Sequence, residues 1–253
     1  LGIATIGLVL VVGIALVTLF RRQQRLARLK STLISTVSHE LKTPLSSVRM
    51  LVDTILEGRC RDDKQKQEYL ELIARENLRL SRLIDNFLTF SRMERNKHAF
   101  HFEAMNPSTV IEDVVESTRE RFEQPGCSLQ TEIEPGLPSI RGDRDALVTV
   151  ILNLVDNAFK YSKDEKRVTL GVKRVGQAVR FEVADNGIGI PKRVQRRIFD
   201  RFFQVDQQLS RDAGGVGLGL SIVRFIVDAH GGRISVESES GKGSVWQPSL
   251  TPL

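Results

Sequence analysis

Cysteine is nearly missing from this chain. Cys60 and Cys127 are the two in 253 residues, and they lie too far apart to form a zinc or redox pair. They fit a reducing compartment with incidental thiols. A P-loop is missing too, because no glycine-rich stretch ends in Lys-Ser or Lys-Thr. So is a dinucleotide fingerprint: the glycines of "GGVGLGLS" are spaced G-x-G-x-G and follow a polar loop, not a strand. Acid is absent from residues 21–30, which hold Arg21, Arg22, Arg25, Arg28 and Lys30. Without those five, the formal charge of +6 falls to +1, so the basicity is one local cluster and no nucleic-acid partner is expected.

Long apolar runs are also scarce, with one exception. Residues 1–20, "LGIATIGLVLVVGIALVTLF", carry no charge. As a helix this stretch would span about 30 Å, the hydrocarbon thickness of a bilayer. No basic region precedes it and no small-residue cleavage site follows, which disfavours a signal peptide. The basic residues 21–30 come next, and such a flank stays on the cytoplasmic side. The expectation is a transmembrane helix over 1–20 and a juxtamembrane linker helix over 21–30. The protein would then sit in the cell membrane with its catalytic part in the cytoplasm. Because the sequence opens on Leu, a longer protein is also expected.

Over residues 21–96 the apolar positions Leu26, Leu29, Leu33, Val37, Leu41, Leu45, Val48, Val52 and Ile55 recur at steps of three and four, one stripe of a long helix. Gly58 in "EGRCRDD" offers its C-terminal stop. A second amphipathic helix is expected from about Lys64 to Arg95. One antiparallel hairpin cannot bury both stripes, so a homodimeric four-helix bundle is the natural solution. His39 points away from the stripe, with Thr43 one turn on along its own face. Pro44 denies the carbonyl of Glu40 its hydrogen bond, which predicts a bend just past the histidine. Glu40 can accept from one ring nitrogen and leave the other as a nucleophile.

The section from residue 100 to 253 has an α/β pattern. Asn106 and Pro107 are set to open a helix, as is Asp143 for a helix reaching about Tyr161. "CSLQTEI", "RVTLGVKRV" and "AVRFEVAD" alternate as strands. On the second helix Leu147, Val148, Ile151, Leu154, Val155 and Ala158 share one arc, and Asn153, Asn157, Lys160 and Tyr161 the opposite one. "ADNGIGIP" ends a strand at Asp185, and Gly187 and Gly189 follow, where the backbone can turn sharply or approach a ligand. Gly215, Gly217 and Gly219 open an apolar helix, and free N–H groups at such a start favour an anion.

Together "SHELKTPL", "NLVDNAFKY", "DNGIGI", "IFDRFF" and "GVGLGLS" resemble the H, N, G1, F and G2 boxes of the sensor histidine kinases of two-component systems, in the family's order. The resemblance covers about residues 31–245. It implies a dimerisation and phosphotransfer domain at 31–96, then a Bergerat-type ATP-binding α/β sandwich at 100–253. His39 would be the phosphoacceptor, Glu40 its orienting base, and Thr43 the residue that positions water for dephosphorylation of the partner. Asn157 would hold Mg²⁺, Asn153 and Lys160 would meet phosphates, and Tyr161 would flank the nucleotide. Asp185 would accept from the adenine amino group, which selects ATP over GTP because a carboxylate only accepts. Gly187 and Gly189 would shape that floor, and Gly215, Gly217, Leu218 and Gly219 would cradle phosphates. Residues 204–216 would form a lid anchored by Phe199, Phe202 and Phe203. The implied partners are a second copy, the receiver domain of a response regulator, and the membrane.

Two departures from the family pattern stand out. Gln204 occupies a place where many relatives carry a basic residue, leaving Arg201 or Arg211 to supply charge. Pro248 interrupts the final strand, which predicts an edge strand that ends early. Two rivals are a nucleotide-binding scaffold without phosphotransfer and an ATPase of the same superfold. The second would use an acid, here Asp156, to activate water.

Overall fold

The computed structural model describes residues 41–94, 100–162, 165–205 and 217–253, with isolated positions ahead of residue 41. The chain divides into two compact units, Leu1–Leu83 and Ile84–Leu253.

In the first unit, helix α1 occupies residues 41–56 and helix α2 begins at Asp63; α2 runs on to Glu94, its last residues counted with the second unit. Pro44 lies inside α1 and is buried, as is Leu51. The bend expected at Glu40 falls outside the described residues. The helix stops where the sequence placed the stop. Gly58 adopts φ +64°, its N–H donates to the carbonyl of Ile55, and Arg59 N–H donates to Thr54, a paired αL termination. Asp62 caps α2 by accepting from the N–H of Gln65 at 2.7 Å, while Gln65 Oε1 accepts from the N–H of Arg61 at 2.8 Å. Leu45, Met50, Leu56, Leu70, Leu78, Ile84 and Leu88 remain exposed along the two helices. Among the described residues no helix is long and apolar enough to cross a membrane. Of the apolar run only Gly13, Val17 and Phe20 are described, so the expected span over 1–20 lies outside them, as does most of the linker 21–30.

The second unit is an α/β sandwich. Its strands are β1 (Glu103–Met105), β2 (Cys127–Ile133), β3 (Ile140–Gly142), β4 (Lys166–Val175), β5 (Ala178–Asp185), β6 (Arg233–Glu239) and β7 (Gly243–Leu250). Its helices are α3 (Ser108–Phe122), α4 (Arg144–Tyr161) and α5 (Gly219–Ala229). β1 and β3 form a small antiparallel pair, and the other five strands form a sheet in the order β2-β4-β5-β7-β6. β2 runs parallel to β4, and the remaining neighbours are antiparallel.

Alternation places Val168, Leu170 and Val172 of β4, Val179, Phe181 and Val183 of β5, and Trp246 and Leu250 of β7 in the core. Against them stand Ile151, Leu154, Val155 and Ala158 of α4, Ile222, Val223, Ile226 and Val227 of α5, and Val110, Ile111 and Val114 of α3. Val150 takes the buried place on α4 that the wheel gave to Val148, which is half-exposed. The expected cap at Asp143 forms, whereas the residue flanking the start of α3 is Pro107, one place beyond Asn106. Asn106 Oδ1 accepts from the N–H of Ser108, and Asp143 Oδ1 accepts from the N–H of Ala146 at 3.0 Å.

The expectation for Pro248 is corrected. β7 is an interior strand, paired with β5 as far as Leu250 and with β6 as far as Ser249. Pro248 keeps its register opposite Ile234 of β6, while pairing with β5 lapses at Pro248 and Gln247 and resumes at Ser249. The missing N–H is therefore accommodated as a short gap in one ladder, and the strand continues.

Candidate nucleotide site

The last residue of β5 is the focus of the site. Asp185 pairs with Ser244 on β7 and lies on the same face of the sheet as Val183, the face that carries the core. Its Oδ1 accepts from the N–H of Gly187 at 2.8 Å and from the N–H of Ser244 at 3.2 Å. Its Oδ2 accepts no hydrogen bond of ordinary geometry from the described residues. Burial pushes the carboxyl above its ordinary range. The two N–H donors oppose that shift, and so does the buried indole N–H of Trp246, although it makes no hydrogen bond of ordinary geometry. A half-buried carboxylate with one oxygen anchored and the other uncommitted is an acceptor prepared for a donor from outside the chain.

The turn after β5 closes tightly over the end of α4. Ile188 N–H donates to the carbonyl of Tyr161 at 3.1 Å. A Cβ at Gly187 would stand 2.7 Å from that same carbonyl oxygen and 2.8 Å from Asp185 Oδ1, so no larger residue fits. Gly189, at φ +67°, lies against the backbone of Glu239. Ser238 braces the turn by accepting from the N–H of Ile190 at 2.8 Å while donating to the carbonyl of Gly243.

On the polar arc of α4, Asn153 Nδ2 donates to the carbonyl of Thr149, and its Oδ1 faces the start of α5, where a Cβ on Gly219 would stand 2.9 Å away. Asn157, half-buried on the same arc, makes no side-chain hydrogen bond among the described residues. Lys160 Nζ stands 4.9 Å from the ring centroid of Tyr161. The described structure thus brings Tyr161, Asp185 and Gly187 together and, separately, Asn153 and Gly219, with Asn157 and Lys160 on the same helix α4. An amide oxygen with no hydrogen-bond partner among the described residues suits a hard cation that completes its shell with water and phosphate oxygens, so Asn157 fits the Mg²⁺ role. No cluster of His, Cys, Asp and Glu able to hold a metal unaided occurs among the described residues.

Gly217 and Leu218 lie just ahead of α5, and Gly217 accepts the N–H of Phe202 at 2.9 Å. Phe202 takes φ +62°, an uncommon conformation for a residue with a Cβ. Phe199 packs edge-on to Trp246, and Arg197 stacks on Phe203 at 4.6 Å. Arg201 is exposed and Gln204 half-buried. Gly215, Arg211 and residues 206–216 of the expected lid lie outside the described residues. So do His39 and Glu40, while Thr43 is exposed on α1. Sequence reasoning missed Ser238, Ser244 and Trp246. The glycines of "SGKGS" were the available signal, since Gly243 at φ +96° allows β7 to approach Asp185 closely.

The fold sets a helical unit ahead of an α/β sandwich with a half-buried carboxylate at its focus, and comparison with known proteins identifies the class. Residues 29–96 match the His Kinase A (phospho-acceptor) domain, and residues 142–250 match the histidine kinase-, DNA gyrase B- and HSP90-like ATPase family. The sensor protein kinase WalK of Staphylococcus haemolyticus (strain JCSC1435) is 34% identical over 231 residues, which is 88% of this chain and 36% of that protein. This chain therefore spans about a third of that relative's length. Full-length ShkA, solved in complex with AMPPNP, is 27% identical with TM-score 0.63, covering 87% of this chain and 46% of that one. The histidine kinase ThkA, solved with the response regulator protein TrrA, shares the fold at TM-score 0.66 and 22% identity, over 92% of this chain and 64% of that one. The chain belongs to the sensor histidine kinases of two-component systems.

Proposed function

We propose that this chain binds ATP at the Asp185 site, transfers its γ-phosphoryl group to His39, and passes the phosphate to an aspartate of a response-regulator receiver domain. The observation that carries this reading is the Asp185 carboxylate. It is anchored through Oδ1 above a turn where only glycine fits, beside the polar arc of α4. Oδ2 is left to accept the amino group of adenine, while guanine would present an oxygen there. Tyr161 flanks the base, Asn153 and Lys160 meet phosphates, and Gly217, Leu218 and Gly219 offer backbone N–H groups at the start of α5, with Gly215 as a further phosphate-binding residue. Asn157 would hold Mg²⁺, which neutralises phosphate charge when bound. Glu40 orients the imidazole of His39 and takes its proton, and Thr43 positions water for hydrolysis of the partner's phospho-aspartate, which releases inorganic phosphate.

The exposed apolar residues of α1 and α2 support a homodimer, in which a second copy covers them. The relative solved with a response regulator supports that partner, which is where the phosphate would go. The apolar run 1–20 and its basic flank support a membrane anchor with the kinase portion in the cytoplasm. The water-using ATPase is disfavoured because Asp156, the acid such a mechanism would need, is engaged by Arg121.

The test is incubation of the full chain with labelled ATP and Mg²⁺. The label is expected to be acid-labile and alkali-stable, and to vanish in His39→Ala. Label that persists in that variant would overturn the proposal.

A further inference from the structure

His230 is used by none of the roles above, yet three elements meet on its ring. It is the C-cap of α5, and its Nδ1 lies 2.7 Å from the carbonyl oxygen of Ile226. A carbonyl only accepts, so Nδ1 carries the proton and Nε2 presents its lone pair. That lone pair accepts the backbone N–H of Asp143, the N-cap of α4, at 3.0 Å. Phe100 and Phe102 close on the ring edge-on, with centroids at 5.4 and 4.8 Å, and Phe100 also reaches Phe225 of α5 at 5.9 Å. The Asp143 carboxylate accepts from Ala146 on one oxygen and from the N–H of His101 on the other. Burial lowers the pKa of His230, consistent with a neutral imidazole in this place.

The consequence lies in what the two joined helices carry. α4 bears Asn153, and α5 opens at Gly219, whose Cα sits against the Asn153 side chain. Beside the packing of their buried faces, α4 and α5 meet at the Asn153–Gly219 contact and at the Asp143–His230 hydrogen bond.

We propose that His230 is a positioning residue for nucleotide binding, fixing α5 against α4 so that the glycine-rich start of α5 meets the polar arc of α4 in the spacing the phosphates require. This rests on the ATP-site reading above. It also makes residues 100–102 part of the same clasp, because their rings and backbone hold His230 and Asp143.

The full chain with His230→Ala, His230→Asn and His230→Gln separates this role from mere packing. Gln can place an acceptor where Nε2 stands and keep the bond to α4. Asn can keep only the local donor to Ile226. The expected result is that Ala and Asn raise the KM for ATP about tenfold with kcat within about twofold, and that Gln restores KM to within about threefold of wild type. An unchanged KM in Ala and Asn, or Gln as impaired as Ala, would overturn the proposal. Wild type is checked separately for a rise in Tm with a non-hydrolysable ATP analogue. If that rise were absent, the ATP-site reading would fall. Hydrogen exchange at the Asp143 amide would still judge the clasp: faster exchange in Ala and Asn but not in Gln supports it, and equal exchange in all forms refutes it.

Discussion

Asp185→Asn is expected to bind ATP at least about 100-fold more weakly than wild type while melting no lower. The geometry dictates which way the new amide sits. Two backbone N–H groups, of Gly187 and Ser244, point at the Oδ1 position, so the amide oxygen must stay there. The amide nitrogen then takes the Oδ2 position and turns a donor toward the adenine amino group, itself a donor. A mismatch of this kind in a built site is costly because neither group finds a partner. Purines with an oxygen at that position should lose less, so the preference for ATP over GTP should shrink.

Stability moves the other way. Burial raises the Asp185 carboxyl above its unfolded value, so the folded state holds a proton there more readily than the unfolded chain. The favourable contribution is full below the unfolded carboxylate range and is lost as pH rises through the raised folded value. Near neutral pH the charged group is therefore a cost, and asparagine removes it. Calorimetric titration with a non-hydrolysable ATP analogue and a thermal melt check both halves. Undiminished ATP affinity would remove Asp185 from the site.

Gly189→Ala is expected to destabilise the second unit by about 3–5 kcal/mol, far more than Gly176→Ala at about 1 kcal/mol. Both glycines have positive φ, +67° and +62°, so both substitutions incur the left-handed penalty. They differ in surroundings. A Cβ on Gly176 meets nothing within 4 Å, whereas on Gly189 it would stand 2.0 Å from the carbonyl oxygen of Glu239. The turn cannot slide away, because Gly241 N–H donates to Ile188 at 2.7 Å and Ile190 N–H donates to Ser238. Yielding would break those bonds and shift the turn that covers Tyr161, so nucleotide affinity should fall with stability. Urea unfolding of the two variants decides the matter, and equal midpoint shifts would mean the contact with Glu239 is unimportant.

Local features were the legible ones. "CSLQTEI" and "AVRFEVAD" form β2 and β5 with the residues that their alternation indicated, and Asp143 and Gly58 terminate helices as their chemistry requires. The polar arc of α4 was visible because a helical wheel needs only the sequence. The contacts that complete the site were not visible, because they join distant residues through backbone atoms that every sequence position shares. Ser244 offers Asp185 an N–H across 59 residues, and Asp143 offers one to His230 across 87. Pro248 misled for the same reason. Its chemistry suggests an edge, but strand order is set by pairing partners, and one missing donor can be tolerated inside a sheet.

The place of β7 between β5 and β6 also constrains how the chain can be made. A ribosome delivers β2, β4, β5 and β6 before it delivers the strand that joins β5 to β6. Until Leu250 has emerged, the nascent protein carries β5 as an open edge, with the row of Val179, Phe181 and Val183 beside an unfilled slot. That interval is when a foreign strand could pair there, and it closes once β7 supplies the native partner.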